Sequence, residues 1–283
     1  MSTSAELAAL PVPWTDQALP ATWPDQQQNL LRLAGWFMTA PVRRELAEVP
    51  GQLVLNRSLP DYVREPFHGL PNGYYSLGLV EGYDRGFELS MLGRTSAARR
   101  NIAERLRGAE RTLDVGCGSG RLAHAMLDAG VREVWALDPS PYMLRCARRR
   151  APEVHALQGL IEDTQFPDEC FDGAGAFFVF HELPRQVASS ALHELHRILR
   201  PSGLLCITEP SEAHIRPKNL WRLVRDHGVR ALYFHLLAKL VYEPFLADWQ
   251  SVRDRGAWLF EHGFELVEDD VRVPFRSLVA RKR

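Results

Sequence analysis

The stretch Arg111-Thr112-Leu113-Asp114-Val115-Gly116-Cys117-Gly118-Ser119-Gly120 decides how the rest of the chain is read. An apolar run carrying an acid breaks into three glycines, and a helical pattern follows at about 120–129. Glycine permits a sharp turn and lets a ligand approach the backbone, because no Cβ stands in the way. Strand, glycine turn and helix in that order place the loop at the carboxyl edge of a parallel sheet, where ligands bind. The spacing is G-x-G-x-G, with Asp114 two positions before the first glycine, whereas a pyrophosphate-binding dinucleotide loop reads G-x-G-x-x-G. The acid suits a ligand with a cationic amino-acid end better than a polyanion, and argues against a nicotinamide cofactor.

Downstream, short β-rich runs alternate with helical ones. Strands are expected at 111–116, 133–138, 154–159, 171–180 and 203–210, and helices at about 120–129, 140–150 and 185–199. Apolar, non-alternating strands suit a parallel sheet covered on both faces, and right-handed crossovers make it doubly wound. FELVEDDVR and FRSLVARKR, joined by a turn near Pro274, read as two further strands. The expected fold is α/β: a doubly wound, mostly parallel seven-stranded sheet with an antiparallel C-terminal hairpin. Residues 1–93 read as an N-terminal arm and helical cap, and 94–283 as the core, with a helical insert at 211–258. Within the cap, a helix is expected from Asp25 as N-cap to about Thr39, with Leu30, Leu33, Phe37 and Met38 on one face and Pro41 as its stop. Helical segments resume near Tyr75 and run, with breaks, to Arg107. No internal repeat or low-complexity segment is found.

Asp138 closes the second strand about twenty residues after the loop, where an acid can accept from both ribose hydroxyls. The competing reading is an ordinary helix cap before Pro139-Ser140. Asp114 to Gly120, the Asp138 step, QGLIEDTQFPDECFD (158–172), FFVFHEL (177–183) and LHRILRPSGLLCITEP (195–210) occur in order. Together they resemble the class I S-adenosylmethionine-dependent methyltransferases, particularly the small-molecule group, closely over 111–210 and loosely over 264–283. The resemblance implies a Rossmann-like fold and S-adenosyl-L-methionine as cofactor. It implies that Asp114, Gly116, Cys117, Gly118 and Gly120 hold the methionine end, with Asp138 and Pro139 at the ribose. Tyr142 or Met143 would pack near the adenine, with Leu160 and Ile161 on its other side and Phe177 lining the site. Members of the family often carry an acid where this chain has Leu160, which leaves backbone groups and packing to hold the adenine.

His181 and Glu182 follow the fourth strand, which in this family borders the transferring methyl. A histidine there can take a proton from an acceptor O–H or N–H, its pKa lying near neutrality. The plainer alternative is that both support the following loop. His68, Tyr74, Tyr75, Tyr83 and Phe178 are candidate acceptor contacts, the tyrosines offering cation–π faces to a sulfonium; lid packing is the alternative. No metal ligand set is expected.

The chain carries 34 Lys and Arg against 35 Asp and Glu, a formal charge of -1, which gives no pull toward nucleic acid. The fourth strand also lacks the N/D-P-P-Y/F run of base-amine methylases. Four scattered cysteines without a C-x-x-C pair read as buried thiols in a reducing compartment. The start lacks signal-peptide features and no run reaches the length of a membrane span, so the expected setting is cytoplasmic. The insert has a basic face, Arg216, Lys218, Arg222, Arg225, Arg230 and Lys239, interleaved with apolar residues. Three readings stand: a solvated face over a substrate lid, a site for an anionic or membrane-resident substrate, and a homodimer contact. The expected activity is methyl transfer to a small-molecule O, N or C acceptor. A quinone or lipid-like precursor is the alternative acceptor, and a non-catalytic cofactor-binding scaffold the alternative role.

Overall fold

In the computed structural model, residues 10–39, 45–53 and 59–283 are described. The strands are β1 (Arg111–Val115), β2 (Glu133–Asp138), β3 (His155–Gln158), β4 (Phe171–Phe177), β5 (Leu199–Pro210), β6 (Phe264–Arg272) and β7 (Phe275–Lys282). They form one sheet in the order β3-β2-β1-β4-β5-β7-β6. Neighbours from β3 to β5 pair in parallel, while β7 runs antiparallel to both β5 and β6. The order reverses between β1 and β4, so a crevice opens at the carboxyl ends of those strands.

The helices are α1 (Leu30–Thr39), α2 (Leu77–Ser90), α3 (Arg94–Arg105), α4 (Arg121–Asp128), α5 (Pro141–Arg150) and α6 (Arg185–Ile198). After β5 come α7 (Glu212–Ile215), α8 (Leu220–His227), α9 (Arg230–Leu240), α10 (Leu246–Ser251) and α11 (Arg255–Glu261). All five residues of β1 are buried, which is why it reads as continuous rather than alternating apolar sequence. Its even positions face α4, where Thr112 Oγ1 donates to Met126 Sδ and Asp114 accepts from Ala123 N–H. Leu113 and Val115 face the opposite layer, where Leu192, Leu195 and Leu259 from α6 and α11 close the core.

Two expectations for the N-terminal region change. Asp25 does not cap α1. It lies in a 3-10 turn, and its carboxylate accepts from Ser76 Oγ and from the backbone N–H groups of Leu77 and Gly78. It therefore caps α2, some fifty residues on, pinning the arm to the cap. Leu30 is exposed and Leu33 only half-buried, whereas Trp36 is enclosed and donates to the Gly69 carbonyl. The side chains of Phe37 and Met38, and Pro41, lie outside the described residues. Downstream, β4 stops at Phe177, short of 180, because Phe178 adopts φ +62° and turns the chain away from the sheet.

Candidate functional site

The loop after β1 is stitched to β2. Cys117 N–H donates to the Leu137 carbonyl at 2.9 Å, and Gly118 N–H donates to Asp138 Oδ2 at 2.9 Å. Asp138 Oδ1 accepts from Ser140 N–H at 2.8 Å. The capping role at α5 falls to Ser140, whose Oγ accepts from Met143 N–H, so Asp138 is not the cap. Asp114 Oδ2 accepts from Ala123 N–H within α4. Gly116 has φ +58°, and a Cβ there would lie 2.7 Å from Val179 Cγ2. Gly120 has φ +75°, and its Cβ would meet the Ala147 Cβ at 2.7 Å.

A cavity of about 160 Å³ opens over this loop. Asp114, Gly116, Cys117, Gly118, Asp138, Pro139, Met143, Leu160, Ile161 and Phe177 all line it. Gly120 does not; its missing side chain lets α4 settle against α5. Of the two adenine candidates Met143 lines the cavity, while Tyr142 points away and donates to the Pro20 carbonyl. Burial raises the Asp138 carboxyl to about 7 against the pull of the Gly118 and Ser140 N–H groups, and raises Asp114 to about 8. Neither acid forms an ion pair among the described residues. At one rim Asp84 is held by Arg121, Arg150 and Ser119, which outweigh its burial and keep its carboxyl low. Tyr62 reaches over from the cap to donate to Glu162 at 2.7 Å. The Arg99 guanidinium lies 4.4 Å from the centre of the Phe177 ring and pairs with Glu88.

A second cavity of about 260 Å³ lies behind the first, walled by Met91 from the helical cap, by Ile215, Phe234, Leu237 and Val241, and by Pro274. The two share His68, Tyr83, Phe87 and Phe178, which form a neck between them. Both His68 (φ +58°) and Phe178 (φ +62°) hold left-handed backbone conformations, which are costly for residues with a Cβ and concentrate at functional sites. Phe178 stacks on Phe177 with ring centres 4.9 Å apart.

The polar side of the neck is a chain of alternating charge. His68 Nε2 meets Glu182 Oε1 at 3.1 Å, and its Nδ1 meets Glu243 Oε1 at 2.9 Å. His181 Nε2 lies 3.6 Å from Glu243 Oε2, and its Nδ1 lies 2.5 Å from Glu209 Oε2. Tyr74 donates to Glu182 Oε1 at 2.8 Å. Burial would lower His68, but Glu243 and Glu182 outweigh it and lift the pKa to about 9. His181 is likewise raised well above its usual value, burial being overcome by Glu209 and Glu243. Both imidazoles are therefore cations at neutral pH, and the two histidines in turn hold Glu243 ionised. Ligand atoms of His68, Glu182 and Glu243 lie within 4.8 Å of one another. The ring nevertheless uses its two nitrogens on separate carboxylates, which is the geometry of an imidazolium bridge rather than of convergence on one ion.

The structure brings Glu182, His68, Tyr74, Tyr83 and Phe178 to the first cavity. It leaves out two candidates. His181 is 1% exposed and faces the second cavity only, so a buried cation stands where a neutral base was expected. Tyr75 is fully enclosed, edge-on to Tyr142, and lines neither cavity. Sequence reasoning passed over Glu209 and Glu243. Glu209 accepts from the backbone N–H groups of Val179, Phe180 and His181 and so holds the turn after β4. Its place at the end of a quoted strand was the available signal; Glu243, deep in the insert, had none.

A methyltransferase domain family matches residues 113–207. The chain is 31% identical over 195 residues to a demethylmenaquinone methyltransferase of Paenarthrobacter aurescens (strain TC1), covering 64% of this chain and 74% of that one. It is 38% identical over 119 residues to a malonyl-[acyl-carrier protein] O-methyltransferase of Serratia marcescens, covering 39% and 44%. The chain thus spans less than half of that second relative. A solved SAM dependent methyltransferase from Aquifex aeolicus superposes with a TM-score of 0.50 at 19% identity, over 74% of this chain and 100% of that one, which shows the shared fold. His68, Glu209 and Glu243 fall outside the matched domain.

Proposed function

Because the chain belongs to the class I S-adenosylmethionine-dependent methyltransferases, we propose that it methylates a small, largely apolar acceptor held in the second cavity. The observation that carries this reading is the pair of cavities meeting at Phe178 and His68, one with Asp114 and Asp138 in its lining, the other lined mostly by apolar side chains. The first cavity suits the cofactor. Two buried acids that form no ion pair among the described residues favour a ligand that brings its own charge and hydroxyl donors. Asp138 would accept from the ribose, and the loop from Gly116 to Gly118, with Asp114 behind it, would hold the amino-acid end. Pro139, Met143, Leu160 and Ile161 provide an apolar slot for the adenine, and Phe177 closes the site.

Bound there, S-adenosylmethionine supplies an electrophilic methyl group on a sulfonium. The neck residues align the acceptor and exclude water. The neck gathers three carboxyl side chains, Glu182, Glu209 and Glu243, against two imidazoles, an acidic balance that favours a cation nearby. Tyr74 and Tyr83 have their pKa values raised, by burial first and then by Glu182, and stay neutral donors. Glu182 lines the first cavity and meets His68 at the neck, and we assign it to receive the acceptor's proton. His181 is a positioning residue that holds Glu243 and the turn after β4. We assign the described residues up to 93 to the cap, 94–283 to the core, and 211–258, which holds α7–α10 and the start of α11, to the acceptor-side insert.

A quinone or lipid-like precursor is the narrower reading of the acceptor, favoured by the aliphatic and aromatic walls of the second cavity. A scaffold without chemistry is disfavoured by the intact loop and Asp138. The test pairs calorimetry against S-adenosylhomocysteine with transfer of labelled methyl from the cofactor to a cell extract, counted after extraction into organic solvent. Label in the organic phase supports the proposal; tight binding with no transfer to any fraction returns the scaffold.

A further inference from the structure

The insert walls the second cavity from one side, but its exposed basic face is used by neither the fold nor the site. Helix α9, Arg-Ala-Leu-Tyr-Phe-His-Leu-Leu-Ala-Lys-Leu, is apolar on more than one side. Ala231 and Phe234 are buried, and Phe234, Leu237 and Ala238 line the cavity. The other stripe points outward: Tyr233 is 40% exposed, Leu236 53% and Leu240 84%. A helix apolar all round is normally enclosed or set in lipid. The exposed stripe has neighbours of the same kind, Trp221 at 68% and Val229 at 72%. Leu89 and Leu92 stand exposed at the C-terminal end of α2, which Tyr233 joins to α9 by donating to the Ser90 carbonyl at 2.8 Å. Ser90 and Met91 line the cavity mouth between those leucines. The apolar surface is thus continuous with the apolar cavity.

Charge decides the occupant. From 216 to 240 the chain exposes six cations, Arg216, Lys218, Arg222, Arg225, Arg230 and Lys239, against one acid, Asp226, although the whole protein is nearly neutral. We infer that the α8–α9 face, with the end of α2, docks on an anionic lipid surface, so that an apolar acceptor passes from the lipid into the second cavity. Exposed Leu and Trp among Lys and Arg match a segment lying in the headgroup region. No described helix is long and apolar enough to cross a membrane, which agrees with surface attachment. The inference rests on the proposed acceptor site, but its test does not.

The full chain is sedimented with vesicles of phosphatidylcholine alone and with phosphatidylglycerol added, at low and high salt, and the Trp emission is recorded. Binding about tenfold or more stronger to the anionic vesicles, weakened by salt, with a blue-shifted emission, is expected. Leu236→Glu with Leu240→Glu, and separately Arg222→Glu with Arg225→Glu, should each reduce vesicle binding about tenfold or more. Calorimetry with S-adenosylhomocysteine should be unchanged in both, since none of these side chains reaches the first cavity. Absence of vesicle binding, equal binding to neutral vesicles, or full binding by the leucine variant overturns the inference. So does a concentration-dependent dimer that these substitutions abolish while vesicles bind nothing, since the face would then be a chain–chain interface. Failure to bind S-adenosylhomocysteine, with vesicle binding intact, would instead strike the cofactor reading alone.

Discussion

Asp138→Asn separates what this acid does for the ligand from what it costs the fold. The carboxylate is 7% exposed and accepts two backbone N–H groups, yet burial still lifts its pKa from 3.8 to about 7. At 1.36 kcal/mol per unit, a rise of about three units corresponds to at most about 4 kcal/mol. A carboxyl with a raised folded pKa stabilises fully below about pH 3.8, and that contribution is lost as pH rises through about 7. Asparagine carries no charge and escapes the loss. Its amide NH2 must, however, face the N–H of either Gly118 or Ser140, which costs about 1–3 kcal/mol. The difference leaves the variant about 1–3 kcal/mol more stable at about pH 8.5 and about 1–3 kcal/mol less stable than wild type at about pH 4. Urea unfolding at both pH values reads the sign, and calorimetry reads the price in binding. Loss of at least one charge-assisted bond to the ribose should weaken S-adenosylhomocysteine by about 10- to 150-fold, or about 1.5–3 kcal/mol. A variant less stable than wild type at every pH would refute the reasoning, because the carboxylate would then be well solvated by its surroundings.

Gly120→Ala combines a left-handed backbone with a 2.7 Å approach to Ala147 Cβ, and should cost about 2–4 kcal/mol in urea unfolding while α4 is pushed from α5. Glu209→Gln removes the charge that three backbone N–H groups and His181 share, with an expected loss of about 2–4 kcal/mol and a matching drop in thermal midpoint. The ion pairs of His68 stabilise fully below about pH 6.5, and that stability is lost as pH rises through about 9. Wild type should therefore lose up to about 3 kcal/mol relative to His68→Gln between about pH 6 and 10, measured by parallel denaturation curves; parallel pH profiles for the two proteins would contradict it.

The sheet was legible because its information is local. Each of β1 to β4 is a short apolar run bounded by glycine, proline or a polar turn, and the helices between them show their own periodicity. The hairpin of β6 and β7 was marked by Pro274 and by charge alternating with apolar residues. The residues that line the first cavity were legible for the same reason, since the loop and Asp138 terminate adjacent strands. What local pattern could not convey was partnership at a distance. Asp25 looks like the start of its own helix and caps another. Gly120 looks like a ligand contact because it shares a motif with Gly116 and Gly118, yet its missing Cβ serves helix packing. Nothing about Phe178 announces that a left-handed residue ends the strand there, since the constraint comes from Glu209, on β5. His181 was picked on its place after the fourth strand and on imidazole chemistry, and the two carboxylates that pair with it lie 28 and 62 residues further along the chain.

The ion chain that lines the neck also says something about the order in which the molecule is made. Its members come from positions 68, 181–182, 209 and 243, and no two of the bridged pairs are near neighbours in sequence. Each link closes a long loop, and the entropy of that closure has to be met before the contact returns anything. A nascent chain can complete β1 to β4 and still lack this ion chain until Glu243 has been synthesised and folded back. The links that tie the cap and the insert to the turn after β4 are thus among the costliest contacts in the molecule to close.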